Sequence, residues 1–208
     1  MFLTFEGIEG CGKTTQLSHL AGDLRDRGIS VLTTREPGGS PVGPALRRIL
    51  LSEEYGISER AELLLYAAER AEHVARIIRP ALERREWVLC DRFGDATRAY
   101  QCFGRGLPRQ DVEQAHAIAT GGLEPDLTLL LTLSVEEALR RARARNGSGP
   151  AGEGRFEAES LAFHRRVALG YEALAAEFPR RILKVDASGA PEAVRLRVLK
   201  ALEGRLGP

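Results

Sequence analysis

Short apolar runs alternate along this chain with longer stretches of helical period. Residues 2–5 (FLTF), 30–34 (SVLTT), 87–90 (WVLC), 127–133 (LTLLLTL) and 182–185 (ILKV) have the length and composition of strands. The run at 127–133 is what a parallel strand covered on both faces requires. Between these runs, residues 13–27, 42–52, 58–85, 108–121, 135–145, 156–177 and 191–205 carry apolar positions at helical spacing. Pro80 marks a break or a new start inside 58–85. The stretch 147–154 (GSGPAGEG) has turn and linker composition and predicts a flexible segment. Five strands alternating with helices predict one α/β domain over residues 1–208. Its architecture is a doubly wound, five-stranded parallel sheet flanked by helices. Ligands of such a sheet bind beyond the carboxyl ends of its strands. The loop after the first strand, Arg35, Asp91 and Asp186 all fall there.

The loop after the first strand reads Gly7-Ile8-Glu9-Gly10-Cys11-Gly12-Lys13-Thr14. It has the form G-x-x-x-x-G-K-[ST], between a strand and a helix, as a phosphate-binding P-loop needs. Glycines let successive backbone N–H groups turn toward a polyphosphate, and the following helix adds its positive end. Lys13 is then expected at the β and γ phosphates, and Thr14 on Mg²⁺. The fold class is therefore that of the P-loop NTPases. A mobile lid over about 143–156, rich in arginine, adds to this picture. Arg140, Arg141, Arg143, Arg145 and Arg155 surround the glycine-rich stretch. Most of them suit a solvated basic helix end, while Arg155 and then Arg143 are the candidates to meet transition-state charge.

Composition narrows the partners. The formal net charge is +1, which gives no electrostatic footprint for nucleic acid or an anionic membrane. No apolar run approaches the ~18 residues of a membrane span, and the N-terminus does not read as a signal peptide. Cys11, Cys90 and Cys102 lack metal-ligand spacing and read as reduced thiols of a cytoplasmic protein. Lysine occurs only at 13, 184 and 200, so 27 of the 30 cationic residues are arginine. That bias singles out Lys13 and weakens the case for any individual arginine.

Other residues invite chemistry. Glu9 is a carboxylate in a loop built for anions, so it should turn from the phosphates toward an arginine or a substrate hydroxyl. A surface glutamate at a permissive position is the plainer alternative. Asp91-Arg92 closes the third strand. The aspartate suits Mg²⁺ near Thr14 and the arginine suits bidentate phosphate binding, with a strand-end ion pair as the alternative. Asp91-Arg-Phe-Gly94 also fits the D-x-x-G of GTPases, but no N-K-x-D accompanies it. Tyr66 and Arg70 lie four apart on one helix face and could stack and read a base. On spacing alone, core packing beside a surface charge fits them better.

Taken together, GIEGCGKTTQL (7–17), TREPGG (34–39), LLYAAERAEH (64–73), CDRFGDATRAYQ (90–101), GRG (104–106), PDLTLLL (125–131) and RFEAES (155–160) resemble the bacterial thymidylate kinases over nearly the whole chain. The resemblance implies transfer of the γ-phosphoryl of ATP to dTMP, giving dTDP and ADP for dTTP synthesis, with Mg²⁺ bound alongside ATP. It assigns ATP to Gly7 through Thr14 and to Arg143, and Mg²⁺ to Thr14 and Asp91. It assigns dTMP to Glu9 (at the 3′-hydroxyl), Glu36, Arg47, Tyr66 (stacked on thymine), Arg70, Arg92, Thr97, Tyr100 (against a ribose 2′-hydroxyl) and Gln101. Lys13, Arg92 and Arg155 become the catalytic cations. The P-loop lacks the basic residue some members carry, so the lid arginine takes that place. Cys102 stands where glycine is common. The resemblance also implies a homodimer, for which helices 58–85 and 108–121 could offer an apolar face. The readings it displaces are another nucleoside monophosphate kinase, such as an adenylate kinase, and a non-kinase P-loop nucleotide switch.

Overall fold

The computed structural model describes residues 1–146, 155, 156 and 158–205. Among them, β1 (Phe2–Glu6), β2 (Val31–Arg35), β3 (Trp87–Asp91), β4 (Leu127–Thr132) and β5 (Ile182–Asp186) form one sheet in the order β2-β3-β1-β4-β5. Every pairing is parallel. All of β1 is buried, as is nearly all of β4, because helices cover both faces. Alternate residues divide between the two sides of the sheet. Leu3, Phe5, Leu129 and Leu131 pack under α1 (Lys13–Asp26) and α9 (Pro191–Ala201), with Leu17, Leu20, Leu24, Val194 and Val198. On the other side Phe2, Val88 and Cys90 meet Val74, Ile78 and Phe93. Leu130 joins Tyr100, Phe163, Val167, Tyr171 and Leu174.

The remaining helices are α2 (Gly43–Leu51), α3 (Glu59–His73), α4 (Arg79–Glu83), α5 (Gly94–Thr97), α6 (Arg109–Thr120), α7 (Val135–Asn146) and α8 (Leu161–Glu177). Several boundaries differ from the sequence expectation. The stretch expected as one helix over 58–85 is α3 and α4 joined by a π-helical turn, Val74–Ile78. Pro80 sits in the first turn of α4, where its missing N–H and its ring are accommodated by the wider turn before it. Residues 94–104, not assigned to any element from the sequence, form α5 and a second π-helical segment, Arg98–Gly104. The helix expected from 156 begins at Leu161, because the Ser160 hydroxyl accepts from Phe163 N at 3.2 Å and caps it there. The last helix stops at Ala201, short of residue 205. The flexible stretch expected over 147–154 lies outside the described residues.

Register brings the site together. Phe5 and Arg35 both pair with Asp91, so β1, β2 and β3 end at one level. Glu36 N donates to Asp91 O and Arg92 N to Phe5 O, which carries that alignment one residue past the strands.

Candidate active site

The P-loop leaves β1 at Gly7 and enters α1 at Lys13. Gly7 has φ 134°, and a Cβ there would stand 2.5 Å from Leu131 O. At Gly10, φ is 79° and a Cβ would lie 1.9 Å from Ala138 O on α7. Only glycine fits either place. No side chain caps α1 at Gly12, which leaves its first N–H groups for an anion. The Lys13 ammonium folds back over the loop, donating to Gly7 O at 3.0 Å and Ile8 O at 2.9 Å. Cys11 is buried in the core beneath α1, so this position can offer a ligand only its backbone. Thr14 Oγ1 donates to Asp91 Oδ2 at 2.6 Å. A hydroxyl and a carboxylate at that distance are oxygen donors of the kind a hard divalent cation takes.

Glu9 turns away from the anion side of the loop. Arg92 Nη2 donates to its Oε1 at 2.8 Å and the Tyr100 hydroxyl donates to its Oε2 at 2.5 Å. Burial alone would raise this carboxyl, yet Arg92, Lys13 and Tyr100 hold it below the ordinary glutamate value. Arg92 also donates through Nη1 to Gly7 O at 3.0 Å and to the Tyr171 hydroxyl at 3.2 Å. Its guanidinium lies over the Tyr100 ring, 5.0 Å from the centroid. Arg92 has φ 73°, a left-handed backbone that a non-glycine residue adopts only when its surroundings enforce it. Four side-chain hydrogen bonds, the fourth from Nη2 to the Tyr100 hydroxyl at 3.3 Å, and the ring contact do so here.

Glu6 and Tyr171, not singled out from the sequence, support this cluster. Tyr171 donates to Glu6 Oε2 at 2.8 Å, and Glu6 Oε1 accepts from Phe93 N at 2.7 Å. Burial, reinforced by Asp95, raises Glu6 from 4.5 to about 7. Between those pH values the folded chain keeps a proton on Glu6 that the unfolded chain has lost. The folded state then binds more protons, so this group makes stability fall as pH rises through that window. Glu6→Gln, which mimics the protonated form, should flatten the profile of Tm against pH between about 4.5 and 7. An unaltered slope there would show that Glu6 titrates normally.

The other side of the site is built from the loop after β2, α3 and the π-helical segment. Glu36 accepts from Arg70 Nε at 2.8 Å and pairs with His73 Nδ1 at 2.9 Å. These two residues hold its carboxyl low against the upward push of burial. Arg70 Nη2 donates to Thr97 Oγ1 at 2.9 Å and Phe93 O at 3.1 Å. Arg70 is thus a buried strut joining Glu36 to the Thr97 helix, not a surface charge. Tyr66 is half-buried against the cluster that contains Tyr100, and Arg47 Nη1 donates to Pro37 O at 3.0 Å. Gln101 Nε2 donates to Glu62 Oε1 at 2.7 Å. Glu36, Glu69 and His73 come close enough to suggest a metal site. Both His73 nitrogens are engaged, the second with Thr34 Oγ1, and Arg70 already neutralises Glu36. This is a hydrogen-bonded network without a place for a cation.

Arg143 is exposed on α7. Arg155 is engaged on α3 and the end of α2. Its Nη2 pairs with Glu62 Oε2 at 2.6 Å and its Nη1 donates to Leu50 O at 3.0 Å. Glu62, fully buried on α3 and missed in the sequence, also receives Arg105 Nη2 at 3.1 Å.

The family model described as thymidylate kinase matches residues 5–198. The chain belongs to the thymidylate kinase family. A thymidylate kinase of Trichlorobacter lovleyi is 53% identical over 209 residues, covering 99% of this chain and 98% of that one. One of Desulfovibrio desulfuricans is also 53% identical, over 99% and 96%. The crystal structure of thymidylate kinase from Ehrlichia chaffeensis superposes with a TM-score of 0.79 at 32% identity, covering 98% of each chain. That agreement bears out the five-stranded parallel P-loop fold.

Proposed function

We propose that this thymidylate kinase family member transfers the γ-phosphoryl of ATP to dTMP, yielding dTDP and ADP for dTTP synthesis. The observation that carries this reading is the pairing of two sites through Glu9 and Arg92. The P-loop, with Lys13, Thr14 and Asp91, is equipped for a nucleoside triphosphate. On its other side, Arg92 supplies an anion-binding fork, and Glu9 with Tyr100 supplies groups for a sugar hydroxyl. A nucleotide switch has no use for the second set.

Thr14 and Asp91 would hold Mg²⁺, which supplies charge neutralisation at the β and γ phosphates. Gly7 through Gly12 bind the donor by their backbone, and Lys13 swings from its own loop carbonyls to the transferring phosphate. Glu36, Arg47, Tyr66, Arg70, Thr97 and Gln101 shape the acceptor site. The attacking oxygen belongs to a phosphate that is already anionic, so no strong base is required. Positioning and charge do most of the work. The test is a panel of nucleoside monophosphates with ADP release as readout. Preference for dTMP supports the reading, and preference for AMP, CMP or GMP overturns it.

The Tyr100 hydroxyl is fixed by Glu9 and Arg92 and its ring is 5% exposed, so it cannot yield to an extra substituent on the sugar. Ribothymidine monophosphate should therefore be at least ~10-fold poorer in kcat/KM than dTMP. Equal values would acquit Tyr100 as the sugar gate. We place the enzyme in the cytoplasm, where its free thiols Cys11, Cys90 and Cys102 stay reduced. No helix among the described residues is long and apolar enough to cross a membrane. We also propose a homodimer through α3 and α6, where Leu64 and Ile118 are 63% and 86% exposed. Sedimentation as a monomer at micromolar concentration would refute it.

A further inference from the structure

His164 is 0% exposed, and neither ring nitrogen has a hydrogen-bond partner. The other buried histidines differ: His73 has both nitrogens engaged and His116 has one, on Glu124. A buried polar group without a partner is costly, and where one persists a function or a missing ligand accounts for it. The surroundings of His164 name that function. It lies on α8 with Val167 and Tyr171, three and seven residues on, so all three share the inward face. Tyr171 reaches Glu6 and Arg92 from that face. His164 Nδ1 stops 3.8 Å from Glu9 Oε2, beyond the ~2.7–3.2 Å of an N–H···O bond. The same oxygen already accepts from Tyr100, and Arg92 holds the other one. Glu9 therefore has donors on two sides and an idle third donor just out of reach.

We propose that His164 is a positioning residue of the acceptor site. With dTMP seated, its Nδ1–H closes on Glu9 Oε2 and fixes the carboxylate orientation that takes the sugar 3′-hydroxyl. Neutral and protonated imidazole can both present this N–H, so the contact does not depend on charge. Phe163, whose ring packs edge-on to the imidazole at 5.5 Å, holds the plane of the ring. The inference rests on the reading of Glu9 as the sugar-hydroxyl acceptor.

The experiment compares dTMP with its 3′-deoxy analogue in the unaltered enzyme, His164→Phe and His164→Asn. His164→Phe should lower kcat/KM for dTMP about tenfold while changing the 3′-deoxy substrate less than about twofold, because only dTMP uses the oriented carboxylate. The KM for ATP should stay constant. His164→Asn, which keeps an amide N–H near the Nδ1 position, should restore most of the preference. Equal losses on both acceptors, or no loss on dTMP, would reduce His164 to packing and overturn the proposal. If the unaltered enzyme ignores the 3′-hydroxyl, the reading of Glu9 fails first and takes the proposal with it. Should His164→Phe not fold, imidazole ¹⁵N resonances of the unaltered enzyme decide. The Nδ1 signal of His164 should move on adding dTMP and not on adding the 3′-deoxy analogue, and an unmoved signal in both overturns the idea.

Discussion

Lys13→Ala will leave a folded protein whose phosphoryl transfer is reduced by at least ~10²-fold, comparable to removing one preorganised oxyanion donor. The ammonium of Lys13 is 2.9–3.0 Å from the carbonyls of Ile8 and Gly7, so it is held over the loop before any phosphate arrives. It need only exchange those carbonyls for phosphate oxygens. Little reorganisation would accompany that exchange, which is why a large effect of its removal is expected. The truncation removes no core packing, because α1 is anchored by Leu17, Leu20 and Leu24. Circular dichroism should therefore match the unaltered chain, while coupled-assay turnover should collapse. Near-normal turnover in a folded Lys13→Ala would take the residue out of the mechanism.

The strands were legible because parallel strands with helices on both faces must be apolar almost throughout, and residues 127–133 could be little else. The P-loop was legible because its glycines answer to geometry that can be stated in advance. Gly7 and Gly10 prove to have no room for a Cβ. What escaped was structure that depends on distant partners. Residues 94–104 look too polar for a buried helix, but Asp95 is paired with Arg181, and Arg98 with Glu113 and Glu124. Those partners lie 15 to 86 residues further along the chain, and no local pattern announces them. Glu62 reads as one more exposed glutamate in ERAELLL until Arg105 and Arg155 are found on it. Tyr171 and His164 read as ordinary core residues of an apolar helix, and only the packing of α8 against the π-helical segment turns them toward Glu9 and Arg92. The start of α8 is a different case: the period was read from residue 156, and the helix begins only after Ser160, whose hydroxyl caps it.

The largest kinetic effect should come from Arg155→Ala. We infer that Arg155 acts in the transition state and is held in reserve otherwise. The P-loop carries Glu9-Gly10-Cys11 and so has no basic residue of its own before Lys13. On this inference a second cation meets the charge that develops on the transferring group. Arg155 now sits on Glu62 and Leu50 O, with its guanidinium 5.5 Å from the centre of the Phe156 ring. Leaving Glu62 uncovers a buried carboxylate, but that carboxylate keeps Arg105 and Gln101 as donors. The exchange is therefore less costly than breaking an isolated buried pair. An arginine that reaches the phosphates only on closure stabilises the transition state more than the ground state, and its loss appears in kcat. Arginine fingers are worth roughly 10³–10⁵ in rate, and the lower end is expected here because Arg143, exposed on α7, can partly substitute. The measurement is kcat and KM for ATP and dTMP separately. A fall in kcat of about 10³ at nearly constant KM supports the assignment. A raised KM for ATP with kcat intact would make Arg155 a binding residue and shift the catalytic role to Arg143.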